Sequence, residues 1–482
     1  MRFLKKGLSA FLIGFCFSVG ACSPDEAEPP VNVAIVPSFF KLPAGGEVQL
    51  AAEVTGTSNK MVDWRVNGPG AITADGLYTA PPTVDPNRPT ATIQATSQAA
   101  PAVMGNGAVT MTTVTPLPEN SVPPSSNQTA LGGFTVRAGQ TIDLNGDNQL
   151  DLVTASSTQN AVRIFFGVGN GNFLFKADIS VSEPVAIAVA DFINNPDFWA
   201  DVAVASAMDQ NISIIGGKKA ENNIPEELPA IRTTLPLPAI PSAMTAGGFH
   251  GDPTSNIPVS DLAVGTVDGA IHIYLQDRTD NSYTPAPFLS VGAKPLQIAP
   301  VDFNQDDLLD LAVVREGAND LLIFLGDGAG GFSGPTSILF SSAPGFIAVG
   351  DFNEDQTPDL AATHPAANQV SISLGKGDGA FQPASYTTLE SSPGSIIAGD
   401  FNLGGNDDIA VTLPASKAVL LLFGDGIGNL IGKWRYNAGV PPISLISGFF
   451  TSFQSPTGFQ SVGLIYINQT DNRFYLLNNV SQ

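Results

Sequence analysis

The stretch DFNQDDLLDLAV, residues 302–313, decides the reading of this chain. It sets Asp302, Asn304, Asp306 and Asp310 at spacings of two, two and four residues and then enters an apolar run. Close variants stand at 143 (DLNGDNQLDLVT), 351 (DFNEDQTPDLAA) and 400 (DFNLGGNDDIAV). The last three copies begin 49 residues apart, so the stretch marks a repeating unit, and a fixed period outranks other organisational signals.

The 159 residues from the first copy to the second leave room for three units with insertions. Two weakened copies lie there, DFINNPDFWADVAV from 191 and GFHGDPTSNIPVSDLAVG from 248, and a seventh unit without acids starts near Ser447. Each unit reads as four strands. An apolar strand enters the acidic loop (FIAVGDFN), a second leaves it (DLAAT), a third ends in a glycine turn (VSISLGKGDGAF) and a fourth leads out (ASYTTLE). Four strands seven times over predict a β-propeller across 129–482. Runs such as DLAVV and LLIFLG are apolar at consecutive positions, as strands covered on both faces should be. Unit seven ends one strand short, so GGFTVRA (132–138) is expected to supply its fourth strand and latch the ring, removing exposed sheet edges.

Upstream, 32–116 alternates apolar and polar residues in EVQLAAEV, VDWRV, TATIQATS and GAVTMTTV, the pattern of half-buried strands. This segment resembles bacterial immunoglobulin-like β-sandwiches through Trp64-Arg65-Val66 and the run Gly76 to Pro81, with Trp64 expected as the core aromatic. PLPENSVPPSSNQ makes 117–128 a linker between the two domains. The fold class is therefore all-β, in line with 49 Gly, 38 Pro and only 13% charged residues.

The first residues carry a different message. Arg2, Lys5 and Lys6 precede an apolar run, Gly7 to Phe17, that is too short to span a bilayer. Val19-Gly20-Ala21-Cys22 follows and resembles a bacterial lipoprotein signal. The resemblance implies removal of 1–21, lipidation of Cys22 and a tether over 22–31; the alternative is a plain secretory signal with Cys22 incidental. Ser23 after the cysteine implies the outer membrane, by that family's sorting habit. Cys16 and Cys22 are the only cysteines, so the exported chain would hold no internal disulfide. A net charge of −23 with no basic stripe argues against a nucleic-acid partner.

The acidic loops have the donor types of a calcium site. Calcium takes six to eight oxygens, and acids at positions 1, 3, 5 and 9 of a short loop, with the carbonyl of position 7, can converge on one ion. Asp143, Asn145, Asp147, Gln149 and Asp151 fill these places, as do Asp302, Asn304, Asp306, Leu308 and Asp310, and Asp351, Asn353, Asp355, Thr357 and Asp359. The fourth copy keeps Asp400, Asn402 and Asp408 but has Gly404 at position 5, which predicts a weaker site. The copies at 191 and 248 break the spacing and are not expected to bind metal. The competing reading is a plain polar turn, since Asp and Asn bond their own backbone in loops. Repetition favours the cation, because carboxylates crowded at two-residue spacing repel one another unless one is bound.

A second motif follows each of the four copies at 143, 302, 351 and 400: FGVGNGNF (166–173), LGDGAGGF (325–332), LGKGDGAF (374–381) and FGDGIGNL (423–430). The loop and the glycine hairpin together resemble the FG-GAP or VCBS repeats of integrin-alpha-like seven-bladed propellers, over about 128–482. Units two, three and seven depart from the pattern. The glycines are read as allowing a tight hairpin, with the Phe plugging a gap between blades. No GK[ST] or strand–loop–helix context makes them a phosphate loop.

No catalytic constellation stands out. His250, His272 and His364 lie in no metal-ligand spacing, and GxSxG is absent. The expectation is a non-enzymatic, lipid-anchored envelope protein presenting a calcium-stabilised propeller to a protein or glycan partner, with adhesion or scaffolding as its role. Lectin-like sugar binding and a polysaccharide-acting enzyme are the rivals. Recurring aromatic platforms would support the first of these, but Trp64, Trp199 and Trp434 do not recur blade by blade.

Overall fold

The computed structural model describes residues 30–85, 87–112, 128–130, 135–168, 173–193, 200–218, 227–251, 259–402, 405–448, 463–468 and 473–477. The signal segment, Cys22, most of the tether, most of the linker, Trp199 and Gly404 lie outside them. The described residues are all-β, and no helix is long and apolar enough to cross a membrane.

Among the described residues seven antiparallel sheets, each built on a four-stranded blade, follow one another along the chain; the third gains a short fifth strand and the sixth is extended by three strands from residues 47–79. Their innermost strands are Ala138–Ile142, Pro184–Ala190, Pro241–Gly247, Pro295–Val301, Ile347–Gly350, Ile396–Gly399 and Pro442–Gly448, which number blades 1 to 7. Consecutive blades pack their apolar faces together, and the ring closes where Leu152 and Val136 of blade 1 meet Ile446, Ile465 and Ile467 of blade 7. Between blades 4 and 5 the Gln297 amide both donates to and accepts from the backbone of Ile347, each at 2.9 Å. The second strands carry the core. Asp151–Ser156, Asp201–Ser206, Asp261–Thr266, Asp359–His364 and Asp408–Leu413 are buried at every position, because a neighbouring blade covers each face.

The latch is real but lies upstream of its expected place. Gln128–Ala130 pairs antiparallel with Arg473–Leu477, completing blade 7 from the other end of the chain. The expected GGFTVRA is not that strand: 131–134 lie outside the described residues, and Ala138 already belongs to blade 1. Gln128 is thus part of the propeller rather than the end of a linker.

Residues 32–112 form a small β-sandwich whose largest sheet orders Phe39–Pro43, Met104–Thr112, Thr90–Ser97 and Val62–Asn67. Its central aromatic is Tyr78, not Trp64. Tyr78 is fully buried and donates its hydroxyl to Pro69 O at 2.7 Å, whereas Trp64 is only half-buried on a strand whose alternate residues face solvent. The sandwich is docked on the ring. Glu47–Gln49 pairs with Leu430–Asn437, the outer strand of blade 6, in register Glu47 to Lys433 and Val48 to Gly432. Phe40 stacks edge-on against Phe423, and one apolar cluster runs from the sandwich into blades 6 and 7. An open sheet edge and an open core edge are covered by the same contact.

Candidate cation sites on the loop face

Every acidic loop joins the first strand of its blade to the second, so the loops gather on one face of the ring. Position 9 is the first residue of the second strand in six blades: Asp151, Asp201, Asp261, Asp310, Asp359 and Asp408, all buried. Its carboxylate spans two turns. In blade 4, Asp310 accepts the backbone N–H of Phe303 at 2.8 Å on one oxygen and that of Gly326 at 2.9 Å on the other. Blade 5 repeats this with Asp359, Phe352 and Gly375, blade 1 with Asp151, Leu144 and Gly167, and blade 6 with Asp408, Phe401 and Gly424. The glycine is the first of the hairpin motif. A Cβ on Gly326 would run into the carbonyl oxygen of Leu309, so only glycine lets this amide reach the acid.

Burial pushes these carboxyls up from their usual range: Asp151 to about 7, Asp359 to about 6, and Asp408 well above normal. The acids at positions 1 and 5 of the same loop add to the effect at Asp151 and Asp359. The inner carboxylate thus feels the charge of the outer ones.

The outer positions wrap the loop around their own oxygens. Asp302 accepts Asp306 N at 3.2 Å and Asp307 N at 2.8 Å, Asn304 Oδ1 accepts Asp306 N at 3.2 Å, and Asp306 accepts Leu308 N at 2.9 Å. The loop at 351 matches it bond for bond. In blade 1, Asp143 accepts Gly146 N and Asn148 N, and Asp147 accepts Gln149 N. These curls require left-handed backbone at positions 4 and 6, seen at Gln305, Asp307, Glu354 and Gln356 with φ between 58° and 66°. Such residues cost about 1–2 kcal/mol each outside glycine.

The donor set fits a hard cation. Each loop supplies two carboxylates and an amide oxygen within a few residues, and a carboxylate oxygen holding one hydrogen bond keeps a second lone pair. Three or more His, Cys, Asp or Glu side chains arranged to hold a metal do not occur among the described residues, so any site must draw on the Asn and carbonyl oxygens. Loop 400 differs from the other three. Asn402 is buried and donates its backbone N–H to Asp408 at 3.1 Å, as Ile193 and His250 do to Asp201 and Asp261 in the degenerate blades.

Two features were not legible in the motif itself. The glycine hairpins of blades 4, 5 and 6 clip onto the preceding loop: Gly330, Gly379 and Gly428 donate to the carbonyls of Phe249, Phe303 and Phe352 at 3.0, 3.2 and 2.9 Å. Phe332 and Phe381 of those hairpins stack edge-on against Phe249 and Phe303, which is the expected inter-blade plug. Neighbouring loops also touch directly. Gln305 donates to Gln356 O at 3.0 Å, and Asp407 accepts Asp351 N at 2.8 Å. His250, which lies in no metal-ligand spacing, has its Nδ1 2.9 Å from both oxygens of Asp261.

A ring of seven four-stranded blades with an acidic loop on one face defines a β-propeller. Three of its segments, 143–204, 302–362 and 351–411, match the FG-GAP-like repeat, so the chain carries three such repeats. Each matched segment runs from the acidic loop of one blade into the second strand of the next. No curated protein matches the sequence. Among solved structures, BBS1N in complex with ARL6DN is similar at 16% identity and a TM-score of 0.49, over 72% of this chain and 94% of that one. Sqt1 of Saccharomyces cerevisiae is similar at 11% identity and a TM-score of 0.47, over 88% of this chain and 99% of that one.

Proposed function

We propose that this protein is a calcium-stabilised binding or scaffold protein of the bacterial cell envelope, lipid-anchored at Cys22 and presenting its propeller to a protein or glycan partner. The observation that carries the calcium reading is the recurrence of one loop geometry at 143, 302 and 351, with acceptor-only side chains at positions 1 and 5 and an amide oxygen at position 3. In each loop the ion would be held by Asp143, Asn145 and Asp147, by Asp302, Asn304 and Asp306, or by Asp351, Asn353 and Asp355. Gln149, Leu308 and Thr357 would add carbonyls, and Asp151, Asp310 and Asp359, with both oxygens on backbone N–H groups, would support the loop beneath the ion rather than ligate it. Asp400, Asn402 and Asp408 would form a weaker site. The ion would brace a left-handed loop that is otherwise strained, and no catalytic role is assigned.

The anchor rests on the charged, apolar and small-residue order ending at Cys22. With the sandwich docked on blade 6, sandwich and propeller would move as one body on the tether rather than as a head on a stalk. A glycan partner draws support from one feature, a cleft of about 1070 Å³ between sandwich and ring where Trp434 lies beside Glu47, Glu390 and Arg435. Aromatic faces with paired charged groups suit sugar rings.

The deciding experiment is calorimetric titration of the purified mature protein with calcium, alongside melting with and without chelator. Binding of about three ions with a higher Tm in calcium is expected. No binding heat and an unchanged melt would remove the calcium reading. Pull-down from envelope extract with and without calcium, and a glycan array with Trp434→Ala as control, separate the two partner classes.

A further inference from the structure

Blades 2 and 3 break the acidic pattern, yet their junction is as well braced as any other. The parts are different. At the regular junctions a backbone amide of the glycine hairpin donates to the carbonyl of the Phe at position 2: Gly379 to Phe303 and Gly428 to Phe352. Blade 3 has DRTDNS at 277–282 where the glycine hairpin should be. Side chains take over the same carbonyl. Gln276 Nε2 donates to Phe192 O at 2.8 Å, and the Tyr283 hydroxyl donates to it at 3.3 Å. Gln276 is itself fixed, since its carbonyl oxygen accepts Ser260 N and its backbone N–H donates to Asp261, both at 2.8 Å.

The charge is handled the same way. Asp191 stands at position 1 of the blade 2 loop, the place of Asp302 and Asp351. The guanidinium of Arg278, reaching across from blade 3, donates to Asp191 Oδ2 at 2.7 Å; the Arg278 side chain is 4% exposed and that of Asp191 23%. In blade 3 the imidazole of His250, at position 3, donates from Nδ1 to the buried Asp261. A fixed cation set within one of these loops faces an acid that a free ion would otherwise neutralise.

We propose that the blade 2–3 junction is a cation-independent clamp, in which Arg278 supplies the positive charge and Gln276 with Tyr283 supplies the inter-blade donor. The ring would then have two sectors. Blades 1, 4, 5 and 6 would tighten and loosen with calcium, whereas blades 2 and 3 would stay closed when calcium is withdrawn. This rests on the calcium reading of the other loops.

Hydrogen exchange of the full mature chain, with calcium and with chelator, tests the two sectors. Chelation is expected to speed exchange about tenfold at 302–310 and 351–359 and to leave 184–193 and 259–283 unchanged. Equal acceleration at 184–193 would overturn the clamp. Arg278→Met should speed exchange at 184–193 about tenfold, equally with and without calcium, and Arg278→Lys should keep part of the protection because it keeps the charge. Should Arg278→Met fail to fold, Asp191→Asn, which preserves shape, is expected to give the same local loss. No change at 184–193 in the variant that folds would overturn the assignment. Calcium titration of the wild type keeps the two readings apart. Binding with uniform protection sinks the clamp alone. No binding sinks the calcium reading and with it the two sectors, and the Arg278 and Asp191 variants then decide whether the clamp exists.

Discussion

The two ends of the acidic loop do different work, although the sequence writes them as one motif. The inner end, position 9, is an aspartate in six of the seven blades, buried at the head of the second strand, and at Asp151, Asp261, Asp310, Asp359 and Asp408 both oxygens accept backbone N–H groups. The outer positions 1, 3 and 5 keep their full set only at 143, 302 and 351. Asp201 and Asp261 persist in blades that have lost the outer set, and they still accept Phe192 N and Phe249 N at 2.9 and 2.7 Å. A group retained without the others serves something the others do not. Position 9 ties the loop to the blade and the outer positions are the proposed cation seat, so the two should respond differently to mutation.

The largest expected effect is at the inner end. Asp310→Ala strands two buried donors, Phe303 N and Gly326 N, at about 1–3 kcal/mol each, for a loss of about 4 kcal/mol in chemical denaturation. That loss should be the same with and without calcium. Asp310→Asn keeps one acceptor and should lose about half as much. A loss confined to calcium buffer would mean that position 9 acts chiefly as a ligand, and the comparison would fail.

The outer end should show the reverse. Asp306→Ala removes an exposed acid with one backbone bond, so its cost in chelator should stay within about 0.5 kcal/mol. In calcium the same variant should forgo one ion's linkage, about 2.7 kcal/mol at a hundredfold excess over Kd. Melting curves of wild type and variant across a calcium series read both numbers. Parallel curves at all calcium levels would leave the loop a polar turn.

The link between blades should yield a smaller loss. Gly379 has φ +77° and its N–H donates to Phe303 O, while a Cβ there would sit 2.8 Å from the Leu325 side chain. Gly379→Ala should cost about 1.5 kcal/mol, from left-handed strain with some relief by movement of the leucine. If the clip couples neighbouring loops, the variant should also weaken calcium binding at the loop of 302–310, which titration against Asp306→Ala would expose.

The period of 49 residues and the four-strand reading of each unit were enough to give the ring, because a strand covered on both faces announces itself as an unbroken apolar run. The latch was displaced because three residues, Gln128–Ala130, carry almost no periodicity of their own. The resemblance to immunoglobulin-like sandwiches points to Trp64 as the core aromatic, yet Tyr78 takes that place. Burial instead went to the ring whose hydroxyl could reach Pro69 O, since a buried tyrosine needs a partner for its O–H. In the site, acids at fixed spacing were legible, but spacing says nothing of which oxygen meets which amide. Arg278 and Gln276 were invisible because their partners, Asp191 and Phe192, lie more than eighty positions away along the chain.

The smallest expected effect lies at the other end of a strand that begins with a position 9 acid. Asp359–His364 opens on a buried carboxylate and closes on a buried imidazole. Ser342 O accepts from His364 Nδ1 at 3.0 Å, which fixes the proton there and leaves Nε2 to accept the Ser371 hydroxyl at 2.8 Å. Burial lowers the pKa of this ring, outweighing the backbone carbonyls that favour its charged form. The unfolded chain, with histidine near 6.5, therefore takes up a proton before the folded one does. The stability that His364 contributes is full above about pH 6.5 and falls as pH drops through the folded value. His364→Gln, which can still donate to Ser342 O, should flatten that acid limb while lowering stability at neutral pH, as followed by denaturation between pH 5 and 8. Calcium should leave the difference between wild type and variant unchanged, because the imidazole lies at the far end of the strand from the loop. A calcium-dependent difference would show that the two ends of the blade are coupled through the strand, and the separation between brace and cation seat would then have to be drawn elsewhere.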